Sequence, residues 1–570
     1  MKFLLVAINA KYIHSNPAVY SLKKYALSNM SQEEQNTNSI IIKEFTINNQ
    51  LDDILEEIYA EQPDFIGFSC YIWNISYINA LIPELCKLMS DTHIWVGGPE
   101  VSYRSKAYIE ECNYKIRGVI EGEGEETFFE LIKAYLSNAN NEFYTKSLPS
   151  IKGIAYINAT DSDTVIRTTA RPALDIDRIP FTYSDMTDFE NRIVYYESSR
   201  GCPFSCSYCL SSIEKKIRFR SLELVEQELQ FFLDNKVPQV KFIDRTFNCN
   251  PDRALHIWNY VNLHDNGITN FHFEIAGDLM TEEQIKLINS FRPGLIQLEI
   301  GVQSTNTETL KEIRRHCDME KLVSNVSKIK SGNNVHQHLD LIAGLPYENL
   351  ETFKKSFNDV YSMEPDQLQL GFLKVLSGSY MKEMTNEYGI VYKDYPPYEV
   401  LKTNWLSHDD IILLKKVETV LEIYYNSHQF HHSIKELIKC FETPFEFYET
   451  LGNYYHDSFD TKAKHSRISR YNLLLEFYRK LSNATLSEDA FCQLLTLDLY
   501  LRENMKTRPN FSRILKDYHK NITLLRQENN LSNKEHIEVF IDGNQEIYVH
   551  FDYENRDPLT HDAKLTKLTL

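Results

Sequence analysis

Three cysteines stand close together in the stretch GCPFSCSYC, at Cys202, Cys206 and Cys209, with the spacing C-x3-C-x2-C. Cysteine thiolates bind zinc or the irons of iron–sulfur clusters. A structural zinc ion needs four ligands, and residues 190–220 offer no fourth cysteine or histidine, although the remote Cys249 would complete such a site. An electron-transfer cluster usually takes four cysteines. Three thiolates therefore favour a [4Fe–4S] cluster that keeps one iron open for a small molecule.

The composition is that of a folded protein outside the secretory pathway. Of its 570 residues 42% are hydrophobic, which is enough for packed cores and excludes global disorder. The formal net charge of −19 argues against nucleic acid as a partner. The N-terminal MKFLLVAINAKYIHSN lacks the pattern of a signal peptide, and no apolar run reaches the about 18–20 residues of a membrane span. We expect a cytoplasmic, metal-binding protein without a membrane partner, in which most of the seven scattered cysteines are small buried hydrophobes.

The elements that must position the cysteines follow from the strand and helix patterns. Residues 1–150 alternate apolar strand-like runs (KFLLVAIN, DFIGFSCYIW, HIWVGGP) with helical segments, which predicts a doubly wound α/β domain that binds ligands at the carboxyl ends of its strands. Residues 151–190 are a predicted connector with a hairpin across Asn158–Asp163.

Residues 191–400 repeat the strand–helix rhythm six times. This pattern predicts a partial (β/α)6 barrel, related to the TIM barrel, with its chemistry at the carboxyl end of the strands. The six predicted strands are residues 193–199, 239–244, 270–277, 295–303, 335–344 and 367–376. Residues 401–570 are predicted to form a mainly helical C-terminal domain, opened by a capping box at Ser407 and Asp410 and followed by a hairpin around Asp542–Gly543. The predicted fold class is α/β throughout the first 400 residues.

The cysteine motif, placed directly after the first barrel strand, resembles that of the radical S-adenosylmethionine (SAM) superfamily, C-x3-C-x-aromatic-C, with Tyr208 in the aromatic position. The resemblance implies that Cys202, Cys206 and Cys209 hold three irons of a [4Fe–4S] cluster and that SAM chelates the fourth. It also implies that the reduced cluster cleaves SAM to a 5′-deoxyadenosyl radical, which abstracts a hydrogen atom from a substrate. Tyr208 would pack against the bound SAM.

Residues on the later strands match further family positions for SAM binding. By this resemblance Asp244 would bind the SAM amino group, Glu274 would bind the ribose hydroxyls, and Glu299 and Gln303 would contact SAM from the fourth strand. Arg315 would pair with the SAM carboxylate, to which a guanidinium is well suited. Two alternatives stay open: Asp244 caps the next turn, and Arg315 forms an ordinary surface ion pair.

The first 150 residues resemble a cobalamin (vitamin B12) binding domain. Ser69 in FSCYIWN and the pair Gly97–Gly98 in VGGPEVS match the loops of that family that contact the corrin tail, and EGEGEET at 121–127 matches the segment before its last helix. Glycines there would let the backbone pass close to a ligand. The alternative is an α/β scaffold that has lost cobalamin.

The cobalt-binding motif departs from the family pattern. The usual D-x-H-x-x-G after the first strand reads NAKYIH here, so that Asn9, Lys11 and His14 replace its Asp, His and Gly. The usual imidazole ligand is therefore missing, and we expect His14 to have a structural or substrate-related role. Many members of the subclass also lack this ligand, so cobalamin binding is compatible with the change.

The chain resembles a bacterial group of cobalamin-type radical SAM proteins with a C-terminal domain of unknown function, in its helical tail and in the strings KYIHSN, YYESSRGCPFSCSYCLSS, DRTFN and QLGFLKVLSGS. The resemblance implies a methyltransferase that acts at an unactivated carbon of a small-molecule or peptide substrate, with flavodoxin or ferredoxin as the reducing partner. A radical rearrangement or cyclisation is an alternative, as is a tRNA methylthiotransferase-like enzyme, whose second three-cysteine cluster has no clear counterpart among Cys70, Cys86 and Cys112. A non-catalytic electron-transfer protein is the alternative from another class. The sequence identifies neither a catalytic residue nor the substrate.

Overall fold

The computed structural model describes residues 1–137, 143–158, 164–458, 465–532 and 535–570. The predicted hairpin turn across Asn158–Asp163 lies largely outside the described residues, but the strands on either side of it are present and pair antiparallel. The described chain divides into two compact units, Met1–Leu279 with Ile313–His316 and Leu373–Leu401, and Met280–Glu312 with Cys317–Phe372 and Lys402–Leu570.

The strands of the structure, in chain order, are β1 Lys2–Asn9, β2 Ser39–Thr46, β3 Phe65–Ser69, β4 His93–Gly97, β5 Gly118–Ile120, β6 Ile154–Ile157, β7 Val165–Arg167, β8 Val194–Tyr196, β9 Ser199–Arg200, β10 Arg218–Phe219, β11 Gln239–Phe242, β12 Asn270–Ile275, β13 Ile296–Gln303, β14 His336–Ala343, β15 Gln367–Phe372, β16 Val391–Tyr392, β17 Val400–Lys402, β18 His536–Asp542, β19 Gln545–Arg556 and β20 Ala563–Leu568.

The α-helices are α1 Pro17–Asn29, α2 Gln32–Thr37, α3 Leu51–Glu61, α4 Ile75–Leu88, α5 Pro99–Ser102, α6 Ser105–Glu111, α7 Glu125–Ser137, α8 Leu148–Ser150, α9 Leu222–Asp234, α10 Pro251–Leu263, α11 Glu282–Ile288, α12 Thr307–Glu312, α13 Met319–Ser331, α14 Leu350–Tyr361, α15 Tyr380–Glu383, α16 His408–Tyr424, α17 His431–Ile438, α18 Pro444–Ser458, α19 Arg467–Lys480, α20 Glu488–Arg502 and α21 His519–Glu528.

The sheet of the first 170 residues has the strand order β2-β1-β3-β4-β5-β6-β7, in which β2, β1, β3, β4 and β5 run parallel. The apolar run of β1 is buried on both faces: Leu4 and Val6 belong to one core, and Phe3 and Leu5 to the other. Helices therefore cover both faces, which confirms the predicted doubly wound domain. The edge strand β2 was not predicted, because most residues of its run SIIIKEFT are only partly buried and its hydrophobic signal is weak.

The first unit also contains three strands of the predicted barrel, β8, β11 and β12, which pair in parallel register. The second unit contains the other three, β13, β14 and β15, which are again parallel. All six predicted strands are thus present, and the fold is mixed α/β with a parallel sheet of six strands. Buried apolar residues such as Leu298, Leu339 and Leu368 alternate with less buried polar ones along these strands.

The C-terminal part of the second unit is mainly helical, as predicted. Helix α16 begins at the predicted capping box, in which the Ser407 side chain accepts from the Asp410 amide and the Asp410 carboxylate accepts from the Ser407 amide. The predicted hairpin is formed by β18 and β19, and β20 adds a third antiparallel strand that was not predicted. Among the described residues, no helix combines the length and the hydrophobicity needed to cross a membrane.

Candidate active site

A short antiparallel ladder closes the loop that carries the three cysteines. Arg200 on β9 lies opposite Arg218 on β10, and the backbone amide of Cys202 donates to the carbonyl oxygen of Glu214 at 3.1 Å. Gly201 has φ +96°, and a Cβ there would lie 2.5 Å from the carbonyl oxygen of Lys216. Glycine is therefore required where the cysteine loop leaves its strand.

The three cysteine side chains are held in one loop and are poorly accessible to water. Cys202 and Cys206 are 8% and 7% exposed, and Cys209 is half-buried. Burial raises the pKa of the Cys206 thiol, while the nearby Arg315 guanidinium opposes this shift, and Cys209 and Cys202 lie close enough to affect the same thiol. The donor set of three thiols beside a cation fits an iron–sulfur cluster, whose thiolate ligands are negatively charged.

Arg315 and Tyr208 both lie at the cysteine loop. The Nη1 atom of Arg315 is 3.9 Å from the Sγ atom of Cys206, and Arg315 also acts electrostatically on Tyr208. The backbone amide of Ser207 donates to the carbonyl oxygen of Ile313 at 2.9 Å. This hydrogen bond holds the segment that carries Arg315 beside the cysteine loop. The structure thus brings five predicted residues together: the three cysteines, Tyr208 and Arg315.

Asp244 is buried and faces the strand that leads to the cysteine loop. One carboxylate oxygen accepts from the Ser198 amide at 2.9 Å, and the other accepts from the hydroxyls of Ser198 and Ser199 at 2.7 and 2.6 Å. Burial raises the pKa of Asp244, and these hydrogen bonds oppose the shift. The carboxylate therefore holds the start of the cysteine loop, while its contact with SAM stays a prediction. Glu274 lies half-buried on β12, in the same unit.

Glu299 and Gln303 lie on β13 in the second unit. Gln303 has φ +72° and is 9% exposed, and the β13–β14 register shifts between Gly301 and Gln303. A bulge of this kind turns a side chain away from the regular alternation of the strand. The roles predicted for both residues in SAM binding stay predictions.

A cavity of about 740 Å³ lies in the first unit, at the carboxyl ends of the parallel strands. Its size is typical of a cofactor site. The three residues predicted to contact the corrin tail, Ser69, Gly97 and Gly98, all line it. Gly98 has φ +115°, and a Cβ there would meet the carbonyl oxygen of Cys70 at 2.5 Å. The Ser69 hydroxyl accepts from the Asn16 side chain at 3.1 Å, so its position is fixed.

Other residues of this cavity edge were not found from the sequence. Gly67 lines the cavity, and a Cβ at this position would lie 2.9 Å from the Leu5 side chain. A glycine inside a strand often marks a close approach of a ligand or backbone, and this was the sequence signal that could have identified Gly67. Tyr103, which also lines the cavity, is 45% exposed in the turn after α5, and Tyr12 and Trp73 are 66% and 41% exposed in the loops after β1 and β3. Those strands are neighbours, so their loops share one edge. Exposed aromatic rings beside a glycine-lined cavity fit a large planar cofactor such as cobalamin.

The loop after β1 uses its histidine within the protein. The Nδ1 atom of His14 lies 2.6 Å from the Tyr195 hydroxyl. The Asn9 side chain donates to the Glu44 carboxylate and to the His14 carbonyl oxygen. Burial lowers the pKa of His14, and Lys11 acts in the same direction. The substituted cobalt-binding motif therefore forms a hydrogen-bonded loop, as expected for a structural role of His14.

An ion-pair network that the sequence did not reveal joins EGEGEET to the cysteine loop. Arg200 pairs with Glu125 at 2.5 Å and with Glu197 at 2.8 Å, and Arg218 pairs with Glu123. Arg200 and Arg218 are the two ends of the cysteine loop. The network therefore links the segment that ends the cavity-bearing sheet to the base of the cysteine loop.

Comparison with protein families identifies the two halves of this site. Residues 196–360 match the radical SAM superfamily, and residues 5–132 match the B12 binding domain. Residues 386–555 match a family described as a protein of unknown function, DUF4080. The chain thus combines a B12 binding domain with a radical SAM domain, which confirms the predicted family and its cofactor classes: a [4Fe–4S] cluster, SAM and cobalamin.

Individual relatives are similar over part of the chain or in fold. The cobalamin-dependent radical SAM methyltransferase TokK of Streptomyces tokunonensis is 24% identical over 322 residues, which cover 51% of this chain and 44% of TokK. The chain therefore matches less than half the length of that relative. Two solved structures share the fold: OxsB, a cobalamin-dependent SAM radical enzyme (TM-score 0.58, 14% identity, 93% of this chain and 81% of OxsB), and TsrM of Kitasatospora setae (TM-score 0.56, 15% identity, 70% and 82%).

Proposed function

We propose that this protein is a cobalamin-dependent radical SAM methyltransferase that transfers a methyl group to an unactivated carbon of a small-molecule or peptide substrate. The observation that carries the proposal is the joining of two sites within one compact unit. The cysteine loop lies at one end of the Arg200–Glu125 ion pair, and the segment that ends the glycine-lined sheet lies at the other.

The residues of the first unit have distinct tasks in this proposal. Cys202, Cys206 and Cys209 hold the cluster, and Arg315 supplies a positive charge beside it, suited to the SAM carboxylate. Ser69, Gly97 and Gly98 receive the nucleotide tail of cobalamin. When bound, the cluster and SAM supply a substrate radical and cobalamin supplies the methyl group. The burial of Cys202 and Cys206 limits the access of water to the cluster on that side.

The partner and the location belong to the same proposal. A cluster that is reduced for each turnover needs an electron donor, and flavodoxin or ferredoxin would serve. Such a donor and a reduced thiol set are compatible with the cytoplasm, where disulfides are rare.

The experiment is an anaerobic assay of the full-length protein with reconstituted cluster, hydroxocobalamin, SAM and a chemical reductant. We expect a corrin spectrum that stays with the protein on gel filtration, and formation of 5′-deoxyadenosine. With SAM labelled on its methyl group and a substrate extract, the label should appear in a new product together with S-adenosylhomocysteine. Formation of 5′-deoxyadenosine without any retained corrin would exclude the cobalamin part, and no SAM cleavage at all would exclude the proposal.

A further inference from the structure

Three potential ligands converge on neighbouring strands of the second unit. Glu299 lies on β13, and His338 and Asp340 lie two residues apart on β14, so their side chains share one face of the strand. The parallel register places Glu299 directly opposite His338, and Gly301 opposite Asp340. One ligand atom from each of the three residues lies within 4.8 Å of the others.

The cluster is enclosed, and its charges are close together. His338 is 7% exposed, and both carboxylates are half-buried. The Nε2 atom of His338 lies 3.0 Å from the Oδ1 atom of Asp340. Two carboxylates in a partly buried position repel each other and lose solvation, which a bound cation would offset.

The ligand types and spacing suit a metal ion. Zinc binds imidazole nitrogen and carboxylate oxygen at about 2.0–2.2 Å, so two ligand atoms on one ion lie at most about 4.4 Å apart. The ligand atoms of Glu299, His338 and Asp340 lie within 4.8 Å of one another, so a small side-chain adjustment brings all three within bonding distance of one ion. One imidazole with two carboxylates is a mixed set that accepts first-row divalent ions, and three protein ligands leave coordination positions for a substrate group.

We propose that Glu299, His338 and Asp340 bind a divalent transition-metal ion. The site goes beyond the proposed function, because neither the cluster nor cobalamin needs it. It assigns Glu299 to a metal ion rather than to SAM. Its open positions would bind a substrate through an oxygen or nitrogen donor.

The test measures metal binding by the full-length chain in which Cys202, Cys206 and Cys209 are replaced by Ala, so that the cluster site binds no metal. Mn²⁺ is the probe, and the loss of its free EPR signal gives the bound fraction; Zn²⁺ added afterwards should displace it. We expect one Mn²⁺ per chain, and an affinity that falls on the order of tenfold or more in the Glu299→Gln and His338→Asn variants.

The matched control is His336→Asn, which removes the same side chain from the same face of β14, two residues from His338. It should bind Mn²⁺ like the parent. Circular dichroism and the thermal midpoint must show that all variants are folded. The proposal is overturned if the parent binds neither Mn²⁺ nor Zn²⁺, if His338→Asn and Glu299→Gln bind like the parent, or if His336→Asn loses as much affinity. The assay contains no SAM and no cluster. A negative result would therefore count against the metal site and not against the proposed methyl transfer.

Discussion

Arg200 and Glu125 form an ion pair with 2.5 Å between Nη2 and Oε1, and their side chains are 15% and 6% exposed. Arg200 directly precedes Gly201 and Cys202, and Glu125 is the first residue of α7. The Ser21 hydroxyl also donates to Glu125, at 2.9 Å. Burial acts to raise the pKa of Glu125, but Arg200 outweighs it and holds that pKa below its usual range. The pair connects the B12 binding domain to the base of the cluster loop.

Replacing Glu125 by Gln should destabilise the first unit, because the buried Arg200 loses its shortest ion pair and keeps Glu197 at 2.8 Å and Glu123 at 3.7 Å. Breaking a buried ion pair costs about 3 kcal/mol. The loss is measured as a lower urea midpoint, together with less iron per chain after reconstitution. Glu84→Gln, which removes an exposed pair with Lys87, should change stability by less than about 1 kcal/mol. Equal stability of the two variants would contradict a structural role of the Arg200–Glu125 pair.

Replacing Cys206 by Ser should abolish the cluster. The hydroxyl is a poor iron ligand at neutral pH, and Cys206 is buried in the centre of the loop. We expect the iron content to fall from about four per chain to background, with loss of the charge-transfer absorption and of 5′-deoxyadenosine formation. Cys492→Ser, in α20, is the matched control and should keep all three properties. A Cys206→Ser protein that still forms 5′-deoxyadenosine would show that the cluster ligands are assigned wrongly.

Replacing Gly98 by Ala should strain the backbone and lower the retention of cobalamin. The new Cβ would meet the Cys70 carbonyl oxygen at 2.5 Å, and φ is +115°. Strain of this kind costs about 1–3 kcal/mol. Gly122→Ala is a matched control in the same cavity wall, with φ +71° and nothing within 4 Å of its Cβ. The urea midpoint and the corrin absorbance after gel filtration should both fall further for Gly98→Ala, and an equal effect of the two changes would refute the importance of the close approach.

Glu348 gives the second unit a pH-dependent stability. Burial raises the pKa of Glu348 to about 7, against hydrogen bonds from Ser304 and Ser356. Because this pKa is above its unfolded value of about 4.3, the contribution to stability is present below pH 4.3 and is lost as pH rises through 7. Glu348→Gln should remove this loss, which amounts to about 3 kcal/mol between pH 5 and 8.

The measurement for Glu348 is the urea midpoint of the wild type and the variant at pH 5, 6, 7 and 8. The exposed Glu351, which pairs with Lys354, provides the control Glu351→Gln. We expect the wild type and Glu351→Gln to show parallel pH profiles and Glu348→Gln to show a flatter one. A wild-type profile that Glu348→Gln does not change would mean that another group titrates in this range.

Local patterns predicted most of the fold. The six barrel strands and the doubly wound sheet follow from apolar runs of the right length, and the capping box at Ser407 specifies the start of α16 within four residues. The edge strand β2 and the last strand β20 were missed, since a half-exposed strand carries a weak hydrophobic signal and depends on its neighbour for hydrogen bonds.

The sequence by itself determined the chemistry of the cysteine loop. Cys202, Cys206 and Cys209 fall within eight residues, so the chain keeps their thiols close together whatever the rest of the fold is. The resemblance of FSCYIWN and VGGPEVS to a cobalamin-binding domain also indicated Ser69, Gly97 and Gly98. Only the tertiary structure decided that Arg200 pairs with Glu125, 75 residues away, and that Glu299 lies opposite His338. It also showed that Asp244 hydrogen-bonds Ser198 and Ser199. The physical reason is that a side chain's partners across strands and loops depend on pairing register and burial, which no local pattern encodes.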